Sequence, residues 1–126
     1  MNDEQKSHYL RYALILFGII ILLVYPMMQI WPSGWRWEPS QYKYEQMIIG
    51  IYATLGVFLI LASKNPLANA SLIWFTVWSN VVHATIMLLQ VIFDPVEHGH
   101  LYGDIPALYL MAIVLAYLMP RKKEKV

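Results

Sequence analysis

The chain has 126 residues, of which 59% are hydrophobic and 13% charged, and its formal net charge is +1. Soluble domains carry roughly 25% charged residues, so an ordinary soluble enzyme, a disordered chain and a nucleic-acid binder with a basic face are excluded, and a single membrane domain is expected. There is no cysteine, which removes disulfides, thiolate metal sites and cysteine nucleophiles.

Four apolar stretches follow one another along the chain: Tyr12 to Ile30, Tyr44 to Ala62, Leu72 to Phe93 and Ile105 to Met119. A bilayer core about 30 Å thick takes roughly 20 helical residues. The first three stretches match that length, and the fourth does if it begins near Leu101. Backbone groups in hydrocarbon must pair internally, so each stretch is expected to be a helix. Lys6 and Arg11 before the first stretch imitate the start of a signal peptide. No small-x-small cleavage site follows it, so it reads as a retained helix.

The connections 31–43, 63–71 and 94–103 are short. Short connections make neighbouring helices antiparallel, which predicts an all-α, four-helix transmembrane bundle. Lys6, Arg11, Lys64, Arg121, Lys122, Lys123 and Lys125 fall on the side of the termini, against Arg36 and Lys43 on the other. This bias predicts that both termini are cytoplasmic. The acids partition oppositely, with Glu38, Glu45, Asp94, Glu97 and Asp104 outside and Asp3, Glu4 and Glu124 inside. The basic tail from Arg121 to Lys125 is expected to anchor that orientation, with binding to anionic lipid as the alternative. Trp31, Trp35, Trp37, Tyr42 and Tyr44 crowd the first outer loop, and Tyr9, Tyr12, Trp74 and Tyr117 mark the inner boundary. Such rings settle at headgroup level. The Trp35-Arg36-Trp37 run has a second reading, a lid over the outer mouth.

The third helix carries the polar residues. Thr76, Asn80, His83, Met87 and Gln90 are spaced 4, 3, 4 and 3, which puts them on one helix face, with Ser79 at its border. Lipid offers no hydrogen bonds, so this face must look into the bundle or at a partner. Asn80, His83, Met87 and Gln90 are therefore the candidate ligand-binding residues. His83 stands near the middle of its helix, where an ionisable group is a functional hypothesis by default. Its plainer role is a structural hydrogen bond. No second predicted helix core carries a histidine, so haem is not implied, and no other cofactor is identified. Ser79 and His83 are four apart, but no acid or oxyanion hole accompanies them, and no catalytic residue is assigned.

Glu97, His98, His100 and Asp104 form a second cluster, on the outer side. These residue types suit a divalent metal, although His-x-His in a loop fixes no geometry. Asp94-Pro95 also reads as a helix stop, and Asp104 as the N-cap of the last helix, with Pro106 tolerated in its first turn. His83 lies eleven residues before Asp94, about 16 Å deeper at 1.5 Å per residue. The two clusters are therefore expected to be separate features. Glu45 opens the second helix, where the dipole favours an acid and where Arg36 is within reach as a partner. Gly50-x3-Thr54 and Ala112-x3-Ala116 are small-x3-small patterns that suit close helix contact within the chain or in a homo-oligomer.

Trp78 to Met87 resembles a helix, and His98 to Leu108 a turn into a last helix, of a family of small bacterial four-helix membrane proteins with no assigned activity. The matching motifs cover roughly Leu72 to Pro120. The resemblance implies a multi-pass bacterial inner-membrane protein with His83, His100, Gly103 and Asp104 as its signature. It implies no reaction. Small multidrug transporters match poorly, because their first helix carries an acid and Tyr12 to Ile30 has none. The expected function is a small membrane subunit or binding module, a homo-oligomer or part of a larger complex. It would hold a lipidic ligand or partner helix along the polar seam. The rival is a metal- or proton-dependent membrane enzyme or transporter using His83 and the outer cluster.

Overall fold

The computed structural model describes residues 1–37 and 42–121. Glu38 and the basic tail from Lys122 to Lys125, expected to anchor orientation or bind lipid, lie outside the described residues.

Helix α1 spans Asp3–Leu22, nine residues earlier than hydropathy suggests. Its start is set by a capping box: Gln5 N–H donates to Asn2 Oδ1 at 2.8 Å, and Asn2 N–H donates to Gln5 Oε1 at 3.2 Å. The expected single span Tyr12 to Ile30 is broken. Helix α2 spans Val24–Ile30 and departs from α1 by 52°. The cause is Pro26. It has no N–H for the carbonyl four residues back, Leu22, and its ring clashes with that carbonyl. Leu23 absorbs the bend, its N–H shared between Ile19 O and Ile20 O at 3.1 and 3.0 Å.

Pro32 then opens a single-turn helix α3, Pro32–Trp35. Helix α4 spans Tyr42–Ala62 and α5 spans Ala70–Phe93, preceded by a 3-10 turn at Leu67–Asn69. Asp94 ends α5. Its carboxylate accepts the Val96 N–H at 3.1 Å, and Pro95 begins a 3-10 segment, Pro95–Leu101, where a loop was expected. Helix α6 spans Asp104–Leu118. Asp104 is not its cap. Gly103 holds that position without a side-chain bond, and Asp104 is the first helical residue. Its carboxylate is turned instead toward His100.

Among the described residues there is no strand. Three helical stretches, 43–62, 67–93 and 95–118, are long and apolar enough to cross a membrane, and the bent α1–α2 pair makes a fourth if it is one span. Helix α1 packs on α4, α5 packs on α6, and α1 also meets α6. Leu10, Leu14, Leu59, Ile73 and Leu115 are fully buried where these helices converge. The α1–α4 contact closes to backbone distance. A Cβ on Gly18 would stand 2.7 Å from Gly56 O, and one on Gly56 would stand 2.8 Å from Gly18 O. Of the two sequence patterns, Ala112 is buried, whereas Gly50 faces open space. Outward faces are apolar, with Leu16, Ile51, Phe75, Val82 and Ile113 exposed, as lipid contact requires.

Candidate functional site

A half-enclosed cavity of about 150 Å3 lies among α1, α2, α4, α5 and α6. Its wall is mostly apolar, from Ile20 and Met28 on one side to Met87 and Met111 on the other. The polar or ring-bearing groups on that wall are Trp35, Trp37, Glu45, Tyr52, His83 and Asp104. The Pro26 break serves this space, because it turns Val24 and Met28 of α2 onto the wall.

Tyr52 and His83 meet across the cavity. Tyr52 is ten residues into α4 and His83 ten residues before the end of α5, so both reach the same depth, about 15 Å at 1.5 Å per residue. The phenol oxygen and His83 Nδ1 share a hydrogen bond, and the rings stack with centroids 5.7 Å apart. Two tautomeric arrangements satisfy this bond. When the phenol donates to Nδ1, His83 Nε2 keeps a proton. When Nδ1–H donates, the phenol proton is free. Either way the pair retains one donor for a second partner.

His100 is the centre of the other cluster and is fully buried. Nδ1 lies 2.8 Å from Asp104 Oδ1, and Nε2 lies 3.0 Å from the Arg36 carbonyl and 3.0 Å from Glu97 Oε2. All three facing atoms are acceptors, so the imidazolium is the ring form that donates on both sides. Trp37 stacks on the ring at 4.2 Å with the planes 19° apart. Arg36 Nε stands 3.6 Å from Glu45 Oε2, one of the alternatives the sequence left open beside a helix-dipole role for Glu45. The segment that carries Trp35 and Trp37 is folded inward by direct backbone contact. A Cβ on Gly103 would overlap the Gly34 carbonyl, and one on Gly99 the Ser33 carbonyl. Glycine is required at both places by this close approach.

The expected ligand-binding set is divided. His83 and Met87 line the cavity. Asn80 is buried outside that wall, its Nδ2 without a hydrogen-bond partner, and Gln90 is exposed. Of the expected metal set, Glu97, His100 and Asp104 come together and His98 stays exposed. Their contacts are with one another, so both ring nitrogens of His100 are already taken. Among the described residues no group of three or more His, Cys, Asp or Glu side chains is placed to hold a metal ion. The expected separation of the two clusters does not hold, because Asp104 and His83 face the same cavity. Depth along α5 is a poor guide here, since the 3-10 segment Pro95–Leu101 folds back against α5 and delivers Asp104, the first residue of α6, to the cavity wall.

Tyr52 and Trp37 were not singled out as site residues by the sequence. Tyr52 had one signal, a phenol at mid-span in an otherwise apolar helix. Trp37 had one too, the second reading of Trp35-Arg36-Trp37 as a lid over the outer mouth.

Long apolar helices around a partly polar cavity define a class, the small helical proteins built for a membrane. Within that class, the chain belongs to a family of unknown function (DUF6632), whose model matches residues 5–123. No curated protein and no solved structure matches it.

Proposed function

We propose that the protein is a non-catalytic binding module of the bacterial inner membrane whose cavity holds a lipidic ligand. The observation that carries this reading is the wall itself: apolar on most of its area, open on one side, with Tyr52, His83 and Asp104 gathered on it. Sites for small molecules combine apolar surface with a few converging polar groups in this way. In the proposed topology the four spans run antiparallel, the termini are cytoplasmic and the Trp35–Trp37 end is outside. The basic-residue asymmetry supports this arrangement. A homo-oligomer, or a place in a larger membrane complex, is part of the proposal. Its support is α4, most of whose residues are not buried within the chain and whose Gly50 faces open space.

Native mass spectrometry of the full chain released from membranes tests the ligand. Ala107 is on the wall, and Ala107→Phe fills the space. A bound small amphiphile in the wild type that disappears in Ala107→Phe is the expected result. Wild-type protein that carries no adduct, or one the variant retains, overturns the reading. For topology, cysteines placed at positions 35 and 64 should react with an impermeant thiol reagent from opposite sides.

A further inference from the structure

The charges around the cavity are sorted by sign. Glu45 and Asp104 lie on its wall, whereas Arg36 and His100 stand behind them as their ion-pair partners, and the one basic side chain on the wall itself among the described residues, His83, is hydrogen-bonded to Tyr52. Asp104 Oδ1 is bound by His100, which also faces Glu97. The surface that a ligand meets is thus carboxylate and aromatic, with Trp35, Trp37 and Tyr52 contributing rings.

We propose that the ligand is a single-chain amphiphile with a cationic, ammonium-type head, held between Asp104 and Glu45 and against these rings. The inference rests on the binding reading above and names its ligand class. A carboxylate or phosphate head would meet the two carboxylates first, with their counter-charges on Arg36 and His100 farther off behind them, so the nearer like charges disfavour it. A neutral hydroxyl head gains hydrogen bonds alone. A cation gains attraction to both carboxylates and to the negative faces of the rings, the combination that recognises quaternary ammonium groups elsewhere. The apolar walls from Ile20 to Met111 then receive the first methylenes of the chain. A cavity of about 150 Å3 takes a group about the size of benzene, so it admits the head with the first methylenes of one chain, and the rest of the tail leaves by the open side.

Three probes with the same ten-carbon tail separate the possibilities: decyltrimethylammonium, decanol and decyl sulfate. Each is titrated calorimetrically into the full chain in dodecyl maltoside micelles, and the heat with Ala107→Phe is subtracted. The ammonium probe should saturate at least tenfold more tightly than decanol, and decyl sulfate should show no specific heat. Glu45→Gln and Asp104→Asn should each weaken the ammonium probe at least fivefold and leave decanol unchanged. Because Asp104→Asn also disturbs His100, Glu45→Gln carries the test if the former fails to fold. Equal binding of all three probes overturns the cationic head and leaves the cavity reading standing, as does tighter binding of the sulfate. Heats indistinguishable from Ala107→Phe for every probe overturn the binding reading itself.

Discussion

The two ends of the helical assembly are held together by different physics. At the end that carries the termini, Leu10, Leu14, Leu59, Ile73 and Leu115 interlock with no polar atom among their side chains. At the other end, α3 and the 3-10 segment cross by backbone contact, and His100 ties Arg36, Glu97 and Asp104 together. Lipid tails are as apolar as leucine, so the first end draws little hydrophobic advantage over contact with the bilayer and relies on close packing. The second end relies on directional bonds between buried groups. A bond of that kind is modest when made and costly when half of it is removed. The polar end is therefore the less tolerant of substitution.

The largest expected effect comes from Gly103→Val. The Gly34 carbonyl occupies the space where a side chain would begin, and neither backbone can yield without opening the α3 crossing. This variant should give no cooperative melting transition in detergent. Gly50→Ala is its counterpart, because nothing lies within 4 Å of a Cβ there. It should raise stability by about 0.5–1 kcal/mol through helix propensity. Equal behaviour of the two variants would show that the close backbone approach at Gly103 does not hold that end together. Next in size is His100→Leu. It leaves Asp104 and Glu97 buried beside an apolar group, and losing one partner of a buried ion pair costs about 3–5 kcal/mol. Denaturant titration of the solubilised protein measures this loss, and a cost under about 1 kcal/mol would place the carboxylates in water rather than on His100.

Those two residues also show what could be read from the sequence. Hydropathy located α4, α5 and α6 to within two residues of their observed starts at Tyr42, Ala70 and Asp104, because burial in lipid rewards total apolarity over a fixed length. It missed the α1 capping box and the bend at Leu23, which depend on single residues, Asn2 and Pro26. The pairing of His100 with Asp104 follows from their spacing of four. Its consequence for Asp104 did not, because an acid at a helix start serves as cap or as partner, and only the fold decides. Gly18 and Gly56 are 38 positions apart, so neither carries a spacing pattern that announces their contact. Tyr52 and His83 are 31 apart, and they meet only because α4 and α5 place them at equal depth.

Leu59→Ala probes the apolar end. Leu59 is fully buried in the cluster with Leu14 and Leu115. Truncating a buried leucine costs about 2–5 kcal/mol in soluble cores, transfer and cavity combined. The transfer part is small where the unfolded reference remains in an apolar medium, so a loss of about 2 kcal/mol is expected by thermal shift. A loss as large as that of His100→Leu would mean that packing at this end governs the fold as strongly as the polar network.

The smallest effect, and the one with the opposite sign, belongs to Asn80→Leu. Asn80 is 1% exposed, and its Nδ2 has no hydrogen-bond partner. The rest of the polar stripe does not reach it. Thr76 Oγ1 donates to its own helix at Leu72 O, 2.9 Å away, and Ser79 Oγ to Thr76 O at 3.2 Å. A buried amide without a partner costs about 1–3 kcal/mol relative to a satisfied one. Leucine has the same branched shape at Cγ and asks for no bond, so Asn80→Leu should raise the melting midpoint, by about 1 kcal/mol of stability. Local bonding of this kind means that the stripe on α5 contributes little to holding the helices together, apart from His83. A fall in stability instead would show that Asn80 has a partner in the membrane, whether a trapped water or a group from another chain. The stripe would then be an interface, and the polar character of the site would extend along α5 well beyond the cavity.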